Sequence, residues 1–372
     1  MKKALLICLS FIAFFSCSEN ETVPQKTFPD MILLSKRDNG LYQTNVTDNG
    51  NNFEDINLTS NYNVPQHYNM LEKISNNFTI TWLGQGDGNV YFFQKNIETD
   101  SPPINDKVCD INFELHGIRA FQLNSENHFI LFTAKFTNGT TKNFIKLYNK
   151  ITKSCQTIFL SNLIYPRDNI SATVHENYLI VSQRINTETT TISKININSG
   201  ITEKEISIPN SRFSGTIANN TIYIFVNDKM NTYDFSNLQL LNSEEFNNYL
   251  IPGPRWFKSQ VKDNKMLISL PYPAPADVSN EPALIDLNTG NLVEIKKGFL
   301  LDIHMNKLKD LFSYTAFVGR YFTDLKSKRI YCCFSKNYEF TQGGVLEINF
   351  DGEITNYIET EFFPHEIIFK NQ

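Results

Sequence analysis

"NSENHFILF", residues 124–132, joins a polar, Asn-containing turn to a short run of apolar residues. The run is too short for a helix of ordinary length, is rich in aromatic and β-branched residues, and is bounded by turn formers. It reads as a buried strand. The same unit recurs as "ISNNFTITW" at 74–82, "VHENYLIVS" at 174–182, "IANNTIYIF" at 217–225, "VKDNKMLIS" at 261–269 and "LKSKRIYCC" at 325–333. The strong strands start near Met31, Phe78, Phe129, Tyr178, Ile222, Met266 and Ile330. Their spacing is about 44 to 51 residues, with about 64 before the last. A period of that length, filled with short strands, matches one four-stranded propeller blade.

Two further strands follow each strong one. "ISKININSGITEKEISI" at 192–208, "ALIDLNTGNLVEI" at 283–295 and "VLEINFDGEITNYI" at 345–358 are each a strand pair around a Gly turn. The long last interval contains "LLDIHMNKLKDLF", 300–312, the one stretch that reads as an inserted helix. The predicted fold is all-β, a seven-bladed β-propeller over residues 30–372. Its first unit begins with a second strand, and "FPHEIIF" at 363–369 is left over at the other end. Blade one is therefore expected to combine residues 30–59 with 363–370, a closure that removes the free sheet edges. A six- or eight-bladed ring and two stacked β-sandwiches are the competing arrangements.

In propellers the first strand of each blade lines the central channel, and ligands sit where those strands begin. The residues at those positions are His67 and Tyr68; His116 with Arg119; Arg167; Arg212; Arg255 and Trp256; Arg320 and Tyr321; and, on the C-terminal strand, His365. The chain has eight Arg, and five are in this set, whereas the far commoner Lys is not concentrated there. Arg carries a planar fork suited to carboxylate or phosphate and stacks on aromatic rings. These eleven residues are the candidate binding site for an anionic, partly planar ligand. The opposing reading is structural: an Arg at a strand start can tie neighbouring blades together. His365, His67 and His116 would come from three consecutive blades and could meet at a metal, but lone His residues at strand starts are ordinarily hydrogen-bonded, so no metal or cofactor is assigned.

Other features are bland. "GQGDGN" at 84–89 reads as a hairpin turn rather than a phosphate loop. Cys332 and Cys333 alternate across one strand as core residues. Cys109 and Cys155 fall on outer strands of neighbouring blades, which diverge, so no disulfide is expected. There is no paired-carboxylate or strong general-base signature, which favours binding over catalysis. The formal net charge of −5 is mild and gives no sign of nucleic-acid binding.

The opening of the chain has Lys2 and Lys3, an apolar run "ALLICLSFIAFF" at 4–15, then Ser16 and Cys17. That run is too short to span a bilayer. It resembles a bacterial lipoprotein signal, 1–16, with Cys17 as the lipidated residue, although Phe14 and Phe15 stand where the pattern prefers Leu and a small residue. An ordinary secretory signal cut near Ser16 is the alternative. Residues 17–29, including "SENETVPQKT", read as a flexible tether, and their acidity resembles the surface-export signal of Bacteroidota lipoproteins. Together with the repeat, the chain resembles the propeller lipoproteins of that phylum. The resemblance implies a lipid-anchored outer-membrane or cell-surface protein, on either leaflet. Its expected role is to bind an anionic small molecule or glycan as an accessory to nutrient or iron–siderophore uptake, with an outer-membrane transporter as partner. A lyase or hydrolase acting on acidic glycans and a protein-interaction scaffold are the alternatives.

Overall fold

The computed structural model describes residues 28–369 apart from 67, 75–78, 87–88, 100, 113–115, 125–127, 138–139, 161–169, 210–212, 227, 246–254, 258, 273–275, 277 and 313–316. The described strands form seven sheets, antiparallel apart from one short parallel pair in sheet 5 and numbered by chain order. Sheet 1 runs Glu366–Phe369, Met31–Arg37, Gly40–Thr47, Asn52–Asn57 from its inner to its outer strand. Sheet 2 is Tyr68–Ile74, Thr79–Gly86, Asn89–Asn96, Ile104–Asn112, and sheet 3 is His116–Asn124, His128–Thr137, Thr140–Asn149, Ser154–Phe159. Sheet 4 is Ile170–His175, Tyr178–Arg184, Thr190–Asn196, Thr202–Ile208. Sheet 5 is Ser214–Ala218, Thr221–Val226, Lys229–Asp234, Leu240–Glu245, with Arg255–Trp256 added along its inner edge. Sheet 6 is Val261–Lys262, Lys265–Pro271, Asn280–Asp286, Leu292–Val293, and sheet 7 is Phe317–Asp324, Arg329–Ser335, Gly343–Asn349, Ile354–Thr360.

The turns explain why Asn and Asp recur. In sheet 5 both turn residues, Asn219 and Asn220, have positive φ, and so do Asp263 and Asn264 in sheet 6. A two-residue hairpin turn that matches strand twist needs positive φ at both positions, which Asn and Asp tolerate. A second Asx device closes the third strand. The side-chain oxygens of Asn96, Asn149, Asn196, Asp234, Asp286 and Asn349, each the last residue of its strand, accept backbone N–H bonds from the turn that follows.

Alternation along the second strands sends side chains to both neighbours. Ile32 and Leu34 pack toward sheet 2, while Met31 and Leu33 pack toward sheet 7. Cys332 faces sheet 6 and Cys333 faces sheet 1, as the alternation requires. Apolar clusters join sheets 1–2, 3–4, 4–5, 5–6, 6–7 and 7–1. Sheets 2 and 3 meet through the stacked rings of Phe92 and Tyr148, 6.1 Å apart. Each fully buried Ile or Leu in these seams contributes about 2 kcal/mol. The result is an all-β propeller with its sheets in a ring. Met31 pairs with Phe369 and Leu34 with Glu366, so the C-terminal strand is the inner strand of sheet 1.

The expectation of no disulfide is wrong: Cys109 and Cys155 are bonded, with Cα atoms 5.7 Å apart. The outer strand of sheet 2 breaks register between the Asn89–Asn112 and Tyr91–Lys107 pairs, so four residues oppose Val90 alone. Cys109 lies in this bulge with a φ of 26°, which turns its side chain across the diverging gap. An ion pair between Lys153 and Asp106, 2.6 Å, reinforces the same seam.

The inserted helix is present as Phe299–Asp302, a π-type turn Ile303–Lys307, and Leu308–Phe312. Its start is held from sheet 6. Glu281, 1% exposed, accepts the Gly298 N–H (2.7 Å) and the Leu300 N–H (3.4 Å) and bonds the Tyr272 hydroxyl. Tyr272 Oη in turn accepts the Leu301 N–H at 3.1 Å. Burial and the Glu281 carboxylate push the Tyr272 phenol above its ordinary range. No helix among the described residues is long and apolar enough to cross a membrane.

Candidate functional site

Two faces of the ring follow from strand direction. The inner strands begin on a leading face and turn into the second strands on a trailing face. His365 is at the leading end: its N–H donates to Leu34 O at 2.8 Å, just before the Glu366–Phe369 strand. Arg320 and Tyr321 lie on the adjacent inner strand of sheet 7. That strand has a bulge in which Gly319 and Arg320 together oppose one residue of the second strand, between the Val318–Phe334 and Tyr321–Cys332 pairs. The inner strand of sheet 3 has the same irregularity, with Arg119 and Ala120 between the Ile118–Thr133 and Phe121–Leu131 pairs. A register shift also follows Tyr68 in sheet 2. Bulges re-aim side chains at sheet rims, and here they recur where the inner strands begin.

Arg320 forms an ion pair with Glu366 across the seam between sheets 7 and 1. The arginine side chain is 72% exposed and the glutamate 8%. Lys36, at the leading end of the second strand of sheet 1, adds positive charge. Burial, then Lys36 and Arg320, lower the His365 imidazole to about 4, so it is neutral at physiological pH. Its ring rests edge-on to Phe363, 4.9 Å between centroids. Tyr321 turns the other way and shares a 2.9 Å hydrogen bond with Ser269 of sheet 6. Its burial pushes the phenol up to about 12. His365, Arg320 and Tyr321 thus lie at the same end of neighbouring inner strands, and Arg320 and Tyr321 also tie their sheet to its neighbours.

Arg255 and Trp256 do not sit where the sequence placed them. They pair in parallel with Ser214 and Gly215 of sheet 5, before the inner strand of sheet 6 begins at Val261. The Trp256 backbone N–H donates to Ser171 Oγ of sheet 4 at 3.0 Å, and its indole ring lies on Gly215 and edge-on to Phe213. A Cβ at Gly215 would meet the indole at 2.7 Å, so the glycine is what lets this strand approach. Trp256 therefore packs into the seam of sheets 4 and 5 instead of lining a mouth at sheet 6. The physical reason is that the chain leaving sheet 5 first completes that sheet's open inner edge.

His67, Arg167 and Arg212 lie outside the described residues. Tyr68, His116, Arg119 and Arg255 are located on their strands by backbone alone. The three-histidine arrangement is therefore only partly within the described residues.

Sequence reading missed Arg37. Its guanidinium lies between the rings of Tyr42 (4.2 Å) and Phe362 (4.0 Å) and pairs with Asp55. Burial would raise the Asp55 carboxyl, but hydrogen bonds from Arg37 and Thr44 outweigh it and hold it below the usual range. This Arg–aromatic stack comes from a second strand. The available signal was "KRDNGLY" at 36–42, a basic pair directly before a hairpin turn.

No protein-family model and no curated protein matches the chain. Solved structures resemble it in fold. A puromycin hydrolase is 11% identical with a TM-score of 0.51, over 89% of this chain and 53% of that one, so the chain spans about half of the hydrolase. A eukaryotic initiation factor is 10% identical with a TM-score of 0.50, over 92% of this chain and 99% of the other. The β-propeller domain of the trilobed protease from Pyrococcus furiosus, described as an open velcro topology, is 13% identical with a TM-score of 0.49, over 89% and 98%. At these identities the likeness is one of fold.

Proposed function

We propose that this chain is a seven-bladed propeller closed by its C-terminal strand, exported and lipid-anchored through Cys17, that binds an anionic ligand on its leading face. The observation that carries this reading is the rim at sheets 7 and 1. There a bulge presents Arg320 to solvent beside Lys36, over a buried Glu366, and the same bulge holds Arg119 on sheet 3. An exposed guanidinium held in place by one carboxylate edge keeps donors for a second anion. The Cys109–Cys155 disulfide supports export, because such bonds persist in oxidising compartments. Ferric siderophores with carboxylate groups and uronate oligosaccharides are the ligand classes that suit this chemistry, in an accessory role to an outer-membrane transporter.

The test is a binding screen of the purified chain against those two classes, repeated with the Arg119→Gln, Arg320→Gln double variant. Saturable binding that weakens about tenfold or more in the variant, with circular dichroism unchanged, is the expected result. Equal binding by a folded variant, or none by the parent, rejects the reading.

A further inference from the structure

The trailing face holds a second basic feature, remote from the rim. A cleft of ≈ 240 Å³ opens between sheets 6 and 7, where their first hairpins turn. Lys262, Asp263 and Lys265 line it from one hairpin, and Leu325, Lys326 and Lys328 from the other. Leu284 and Phe350 provide apolar floor. Four lysines face two carboxylates, Asp263 and Glu294, which leaves a positive excess.

The pairing within the cleft is ordered. Glu294 follows the outer strand of sheet 6 in the left-handed region, with a φ of 60° that a residue with a side chain rarely adopts. In this position it reaches both hairpins, pairing with Lys265 and, at 3.1 Å, with Lys328. Those two hydrogen bonds lower the Glu294 carboxyl and, for Lys265, raise the ammonium. Lys262 and Lys326, both exposed, have no ion-pair partner among the described residues. One carboxylate thus holds two lysines in place, and two more stand at the same opening in no ion pair among the described residues.

We infer that this cleft is a binding site for a phosphate-bearing anion, with Lys262 and Lys326 as its principal ligands and the Lys265–Glu294–Lys328 bridge as its fixed wall. A lysine ammonium binds phosphate as a point charge, and several around one apolar-floored opening suit a multiply charged group. The phosphate could be free in solution or belong to a lipid headgroup. The second source has a geometric argument. Met31 pairs with Phe369 at the trailing end of the inner strand, so the chain reaches sheet 1 from this same face, and Phe28 is anchored there on Tyr331 at 5.9 Å. If Cys17 carries lipid, as proposed above, the tether holds this face toward the bilayer.

The experiment titrates the purified chain with inorganic pyrophosphate by calorimetry at low and high salt. Saturable binding that weakens with salt, and falls about tenfold or more in Lys262→Gln/Lys326→Gln, is the expected result. Vesicles of phosphatidylcholine with or without phosphatidylglycerol separate the sources. Lysine-dependent sedimentation with the anionic vesicles assigns a headgroup, and pyrophosphate binding alone assigns a soluble phosphate. Absence of both, or binding that is equal in the double variant, overturns the inference. Arg320→Gln leaves this binding unchanged, so the result is independent of the leading-face ligand.

Discussion

Arg320 of sheet 7 and Glu366 of sheet 1 join the first and last parts of the ring through one ion pair whose carboxylate is buried and whose guanidinium is not. Pairs of this kind are asymmetric. Removing the arginine takes a cationic partner from a buried carboxylate, whereas neutralising the glutamate leaves an exposed cation that water can solvate. Arg320→Gln is expected to lower unfolding stability by about 1–3 kcal/mol, and Glu366→Gln by less. The double variant recovers part of the loss. Urea unfolding of all four proteins measures this, and a purely additive cycle refutes the coupling.

His365 gives stability a pH dependence on the acid side. Its folded pKa, about 4, lies below the ordinary 6.5. The unfolded chain therefore takes up the proton first as pH falls. The His365 contribution is complete above about pH 6.5 and is lost progressively down to about 4. The urea midpoint should drop between pH 7 and pH 5, and His365→Gln should flatten that drop. An equal slope in the variant would assign the effect to other groups.

The Cys109–Cys155 bond closes a loop with a sequence separation of 46. The chain-entropy relation assigns such a crosslink about 4 kcal/mol. Reduction, or the Cys109→Ser/Cys155→Ser variant, should lower the melting temperature by several degrees. Peptide mapping without reductant should recover the two cysteines as one linked pair. Cys332, whose thiol burial pushes up to about 12, and the equally buried Cys333 should stay unlabelled by thiol reagents in the native chain.

Glu281 governs the start of the inserted helix. Glu281→Ala leaves the Gly298 and Leu300 N–H groups without their acceptor and should cost about 2 kcal/mol. Hydrogen exchange should accelerate at Leu300 and Leu301 before it does in the sheets. Uniform acceleration across the protein would mean that the helix does not open separately.

The repeat was legible because it rests on local chemistry. Hairpin turns demand Asn, Asp or Gly, and strands packed on both faces demand unbroken apolar runs, so "VKDNKMLIS" and its counterparts carry their own structure. The helix at 299–312 and the opposite burial of Cys332 and Cys333 were readable for the same reason. The Asx residue at the end of the third strand in sheets 2 to 7, from Asn96 to Asn349, was an equally local signal that went unread.

The sites were less legible because they depend on irregularities and on distance in sequence. A bulge in the outer strand of sheet 2 brings Cys109 to Cys155, and no spacing rule announces it. Trp256 follows sheet 5 because that sheet has an open inner edge and Gly215 a free face. Arg37 meets Phe362, and Lys265 meets Glu294 and through it Lys328, only once the ring brings remote segments together. From its sequence alone, this protein's strand content, repeat and turn positions are determined, since each is set by neighbours a few residues apart. Which charges face each other, and on which face of the ring, was decided by tertiary packing, because sheet-to-sheet seams join residues that no local rule connects.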